Sequence, residues 1–136
     1  MKNLLRLEEL AQFILVVITL HYFIGGVAWW VYLLLVLGPD IGMLGYLFNA
    51  RVGAFTYNVL HHKGVAFLVA LCAFLTGAIP EDEPSAMVTS YVLLVTALVL
   101  YGHASMDRIF GYGLKFGDNF HHTHLGWIGK RVASDE

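Results

Sequence analysis

Four long apolar stretches, parted by short polar or glycine-bearing breaks, organise the chain. The first covers residues 7–24. Lys2 and Arg6 precede it, and Glu8 and Glu9 occupy its first turn, where carboxylates suit the positive end of a helix dipole. Gly25-Gly26 ends it. The second covers 27–48, with Gly38-Pro39-Asp40 interrupting it, and Asn49-Ala50-Arg51 forms a polar turn. The third covers 52–79 and stops at the acidic loop Pro80-Glu81-Asp82-Glu83-Pro84. The fourth covers 86–109 and gives way to Gly111-Tyr112-Gly113-Leu114 and a polar, histidine-bearing tail over 115–136. A bilayer crossing takes about 20 mainly apolar residues. The pattern therefore predicts an all-α integral membrane four-helix bundle in a single transmembrane domain. A three-span alternative takes 7–37 as one broken helix and lays 38–63 at the interface.

Charge orients the four-span version. With the N- and C-termini cytoplasmic, Lys2, Arg6, Arg51, Lys115, Lys130 and Arg131 fall on one side, as the positive-inside rule requires. Lys63 is the exception, inside the third stretch. The expected location is the cell (inner) membrane, multi-pass. No small-x-small cleavage site follows the first apolar stretch, which argues against a signal peptide. Trp29, Trp30 and Tyr32 stand where an interfacial aromatic belt would.

Composition agrees. Of 136 residues, 58% are hydrophobic and 13% charged, against roughly 45–50% and about 25% in soluble domains. The net charge of −2 offers no basic surplus for a nucleic-acid partner. The single cysteine, Cys72, excludes a disulfide framework or a Cys-rich zinc module. The bilayer is the expected partner. Gly42, Gly45 and Gly53 would permit close helix contacts within the chain or in a homo-oligomer. The seven histidines are the anomaly in so apolar a chain.

An ionisable side chain inside a span costs perhaps 2.5–3.5 kcal/mol on insertion scales and calls for a partner or a purpose. At about 1.5 Å per helical residue, Asp40 lies roughly 12 Å from the end of its stretch and His61 roughly 15 Å from Arg51. His103 and Asp107 occupy the last turns of the fourth stretch. The four approach one level in the inner half of the membrane. His103 and Asp107, four apart, share a helix face, and Asn58, His61 and His62 form a second polar stripe.

Imidazole with carboxylate is a ligand set for zinc first, with iron or manganese as alternatives. The expected metal ligands are Asp40, His61, His103, Asp107 and His124, with a spare carboxylate, Asp107 or Asp40, as catalytic base. Three readings stay open. One is a metal-dependent hydrolase of a lipid or other membrane-soluble substrate. Another is a haem-binding electron-transfer protein with His61 or His62 opposite His103. The third is a scaffold or transporter in which Asp40, Asn58 and His103 form a hydrogen-bonded latch. His21 and His62 are expected to pack, and His121 and His122 to belong to a solvated tail that at most borders the site. Asp107 alone would be read as a partner of Arg108 or a helix cap.

Several blocks carry a resemblance. Leu7-Glu8 with the run Gly38 to Tyr46, Arg51 to Ala54 with Tyr57 to His61, and His103 to Lys115 with Phe120 to Gly126 resemble domain of unknown function family 4260. These are small multi-pass membrane proteins without an assigned activity. The resemblance covers nearly the whole chain. The positions that match its motifs are Asp40, Asn58, His61, His103, Asp107, Arg108 and His124, while His62 falls outside the pattern.

Overall fold

A computed structural model describes residues 1–78 and 84–129. Pro80 to Glu83 of the acidic loop, and Lys130 and Arg131, lie outside the described residues. The chain there is helical almost throughout. Helix α1 (Lys2–Ile18) runs into a π-helical turn at Thr19–Phe23, and Gly25 and Gly26 turn the chain at φ 76° and 80°. Then come α2 (Trp29–Leu37), a 3-10 helical segment (Gly38–Leu47), α3 (Ala50–His61), α4 (Lys63–Gly77) and α5 (Pro84–Phe110). A small hairpin, β1 (His122–Thr123) against β2 (Gly126–Trp127), closes the described chain.

All four apolar stretches are helical, but they differ as spans. The α2–3-10 unit (Trp29–Leu47) and α5 are long and apolar enough to cross a membrane. Helices α3 and α4 make a third such unit only if the pair counts as one, because the axis bends by 48° between them. Helix α1 has 17 residues and carries Lys2, Arg6, Glu8 and Glu9 within them. Outward-facing side chains such as Ile14, Leu33, Phe67, Phe74 and Val88 are exposed, as expected where lipid is the solvent.

Local chemistry explains the breaks. Pro39 has no N–H to offer Leu35 four residues back, so regular α-helix stops at Leu37 and the chain tightens into 3-10 geometry. At about 2.0 Å per residue this segment is longer than an α-helix of equal length, so Asp40 stands roughly 16 Å from Phe48 rather than 12. Asn49 caps α3 by accepting from the Val52 N–H at 2.9 Å. His62 is extended (φ −87°, ψ 113°) and caps α4, its Nδ1 accepting from the Gly64 N–H at 3.0 Å. His62 and His21 are therefore exposed rather than packed, His21 lying 3.4 Å from the Tyr32 hydroxyl.

Small residues set the spacing. A Cβ on Gly42 would lie 2.8 Å from the Thr56 carbonyl oxygen and 3.0 Å from the Tyr57 Cα, so the 3-10 segment and α3 touch backbone to backbone. The Thr56 hydroxyl seals this contact by donating to the Gly42 carbonyl at 2.6 Å. The glycine contacts at Gly42, Gly45 and Gly53 are thus internal to the chain. Helix α1 crosses α5 where Val16 and Leu35 meet the bare face of Gly102, and the apolar core of Val16, Leu20 and Leu35 forms around that point.

Lys63, the charge out of place in the sequence, joins a polar layer. It donates to Glu9 and Gln12 of α1, Tyr101 donates to Gln12 at 2.7 Å, and Arg108 reaches Glu9 at 3.4 Å. Arg108 therefore pairs with Glu9 and not with Asp107.

Candidate metal centre

Three elements converge on one point. The 3-10 segment brings Asp40, α3 brings His61, and α5 brings His103 and Asp107. One ligand atom from each of these four lies within 4.8 Å of every other. The individual separations are tighter. His61 Nε2 is 3.6 Å from Asp40 Oδ1 and 3.4 Å from Asp107 Oδ2, and His103 Nε2 is 3.5 Å from Asp40 Oδ1 and 3.7 Å from Asp107 Oδ1. These distances are too long for hydrogen bonds. They match the spacing of ligands around a shared ion, since donors about 2.0–2.2 Å from a tetrahedral metal stand roughly 3.3–3.6 Å apart.

The backbone decides which nitrogen faces the cluster. His61 Nδ1 lies 2.8 Å from the Tyr57 carbonyl, and His103 Nδ1 lies 3.0 Å from the Leu35 carbonyl. A carbonyl can only accept, so each Nδ1 carries the hydrogen and, in the neutral ring, each Nε2 presents a lone pair. Both Nε2 atoms are buried and have no hydrogen-bond partner. Two lone pairs face two carboxylates with no donor between them, and a cation is what such a set accommodates. Donation of the remote ring N–H to a carbonyl is also the usual outer-shell support of a metal-bound histidine.

Burial grades the site. His61 and His103 are 3% and 0% exposed, and the Asp107 side chain is 14% exposed. Asp40 is the open group at 36%. Tyr57, 1% exposed, buttresses the interior: its hydroxyl donates to Asp107 Oδ2, and its ring stacks on His61 with centroids 3.6 Å apart. Beneath Tyr57 the ammonium of the buried Lys115 sits 4.8 Å from the ring centre and donates to the Phe120 carbonyl at 3.0 Å. Burial pulls the Lys115 ammonium below its ordinary pKa.

The expected residues separate accordingly. Asp40, His61, His103 and Asp107 come together. His124 does not join them: its Nδ1 accepts from the Leu114 N–H at 2.8 Å and its ring packs over Gly113, so it is a turn-building residue of the tail. Asn58 is not in the group either. Its amide pairs reciprocally with the Lys115 backbone, accepting from the N–H at 2.7 Å and donating to the carbonyl at 2.8 Å, and so ties the tail to α3. His122 bonds Asp118 at 2.7 Å and stacks on Trp127, while His121 meets the edge of Phe120. Tyr57 was missed from the sequence, although its place one helical turn before His61 is a usable signal.

The class is thus a predominantly helical protein with helices long and apolar enough to span a membrane and a partly buried His2Asp2 cluster. The chain belongs to the family described as Domain of unknown function (DUF4260), whose model matches residues 2–128. No curated protein and no solved structure matches it.

Proposed function

We propose that the protein is a membrane-embedded metalloprotein that binds a divalent ion, zinc first and iron or manganese otherwise, through Asp40, His61, His103 and Asp107. We further propose that it hydrolyses a lipid or other membrane-soluble substrate near the cytoplasmic face of the cell (inner) membrane. The observation that carries the reading is the pair of buried, unpartnered Nε2 atoms facing two carboxylates. A divalent ion held there would supply Lewis acidity toward water or a carbonyl oxygen at neutral pH. Asp107, held by the Tyr57 hydroxyl, and the two histidines form a sufficient ligand set of three. With those three sufficient to hold the ion, Asp40, the most accessible of the four, is the ligand that would be free to leave it and take the proton from an attacking water.

The haem alternative is disfavoured by the carboxylates. Their oxygens lie within 4.8 Å of both Nε2 atoms, in the space a porphyrin plane between two axial histidines would need. The metal-free latch of Asp40, Asn58 and His103 is disfavoured because the Asn58 amide is engaged with the Lys115 backbone and His103 Nε2 stands 3.5 Å from Asp40 Oδ1.

Elemental analysis of gently purified protein tests the reading. About one equivalent of zinc, iron or manganese is expected, with loss in His61→Ala, His103→Ala and Asp107→Asn. Substoichiometric metal in the unmodified protein overturns it.

A further inference from the structure

Among the described residues, Lys115 is the only lysine or arginine that is buried, 4% exposed. Two elements fix its backbone. It pairs with the Asn58 side chain of α3 and bridges antiparallel to Thr123 of the hairpin. Its ammonium donates to the Phe120 carbonyl at 3.0 Å and lies 3.7 Å from the Phe120 ring centre and 4.8 Å from that of Tyr57. The two ring faces favour a cation there. Among the described residues the ammonium has no ion-pair partner. A buried charge without a paired counter-ion is costly, and only more distant charge can offset it. The carboxylates that attract it are Asp107 first and then Asp40, both members of the cluster. Tyr57 is the neighbour they share: its ring meets the ammonium, and its hydroxyl donates to Asp107. With neutral imidazoles, the two carboxylates and the ammonium leave one net negative charge. A divalent ion turns that into one net positive charge, in a low-dielectric setting where such a surplus is felt well beyond contact.

We propose that Lys115 is a specificity-determining residue of the site: by its charge it loosens the hold on the ion and makes the loaded cluster take a monoanionic oxygen ligand in preference to a neutral one. This rests on the metal reading above and names the chemistry of the group that meets the ion. A phosphodiester and a carboxylate both supply it. The competing role for Lys115 is a mechanical pin that holds the tail through the Phe120 carbonyl. The two roles predict opposite signs. Loss of a pin loosens the site and lowers metal affinity, whereas loss of a repelling charge raises it.

The test uses the full-length protein in detergent with cobalt(II), whose visible absorption reports its ligands. Cobalt affinity is measured by chelator competition. Azide, dimethyl phosphate and acetate are then titrated as monoanions, with pyridine as the neutral ligand. Lys115→Met should raise cobalt affinity about tenfold or more and weaken each anion by a similar factor, leaving pyridine unchanged. Lys115→Arg, which keeps the charge, should resemble the unmodified protein. Lys115→Gln, which keeps a donor for the Phe120 carbonyl, carries the same expectation as Lys115→Met and replaces it should the methionine variant not fold. The tighter of dimethyl phosphate and acetate names the source of the oxygen ligand. Cobalt affinity lowered or unchanged in both neutral variants, or azide and pyridine weakened equally, overturns the proposal and leaves the metal reading standing. An unmodified protein that binds no cobalt removes the metal reading and this inference with it.

Discussion

His103 donates its Nδ1–H to the Leu35 carbonyl at 3.0 Å, and that carbonyl lacks its usual helical donor because the residue four positions on is Pro39. The break that aims Asp40 inward thus also creates the acceptor that fixes the His103 tautomer. Pro39→Ala would return a competing N–H. Outer-shell changes of this kind typically cost 10–100-fold in metal affinity. A weakening of that size is expected, read by competition with a chromogenic chelator, with helix content retained or slightly raised by circular dichroism.

Asp40 separates a metal site from a latch. Asp40→Asn keeps the shape and hydrogen-bonding capacity but removes the charge. Interhelical hydrogen bonds in membranes average only about 0.6 kcal/mol, so a latch would tolerate the change. A metal site should instead lose at least half of its bound ion, with thermal stability of the metal-free protein nearly unaltered. Elemental analysis beside a melting curve in detergent distinguishes the two.

Gly42 keeps the 3-10 segment against α3. Gly42→Ala would press a Cβ toward the Thr56 carbonyl oxygen at 2.8 Å. Overpacking of this kind costs about 1–3 kcal/mol and would move Asp40 away from His61. Lower melting temperature and reduced metal retention should therefore appear together.

Glu9 holds two cations, Lys63 and Arg108, in a largely buried layer. Glu9→Gln leaves both uncompensated, and removing one partner of a buried pair costs about 3–5 kcal/mol. A loss near the lower end is expected from chemical denaturation, and Glu9→Met with Lys63→Met should recover part of it.

The tail carries a pH dependence. Burial holds the His124 imidazole below its ordinary pKa of 6.5, and its Nδ1 accepts from the Leu114 N–H. A group whose folded pKa is depressed contributes stability that is full above the unfolded value and lost as pH falls through the folded one. Protection of the Leu114 amide from hydrogen exchange, corrected for intrinsic rates, should be constant above about pH 6.5 and fall below it. His124→Gln should flatten that profile.

The limits of legibility are visible in particular residues. Asp40, His61, His103 and Asp107 could be chosen from sequence because charge in an apolar stretch is costly and because depth and helical face are simple arithmetic. His124 passed the motif test yet lies elsewhere, since a loop's path after its last glycine follows from hydrogen bonds such as Asn58 to Lys115, which no periodicity encodes. Lys63 looked anomalous only because its partners, Glu9 and Gln12, are more than fifty residues away.

What the sequence determined by itself was the all-helical, membrane-type character and the helical positions of four ionisable groups. Hydrophobic burial and helix period are local properties, readable along one dimension. Tertiary structure alone decided that the four side chains meet within 4.8 Å and that Tyr57 and two backbone carbonyls orient them. Those outcomes depend on how closely the glycine faces let the helices approach, which is a property of pairs of elements and not of any one of them.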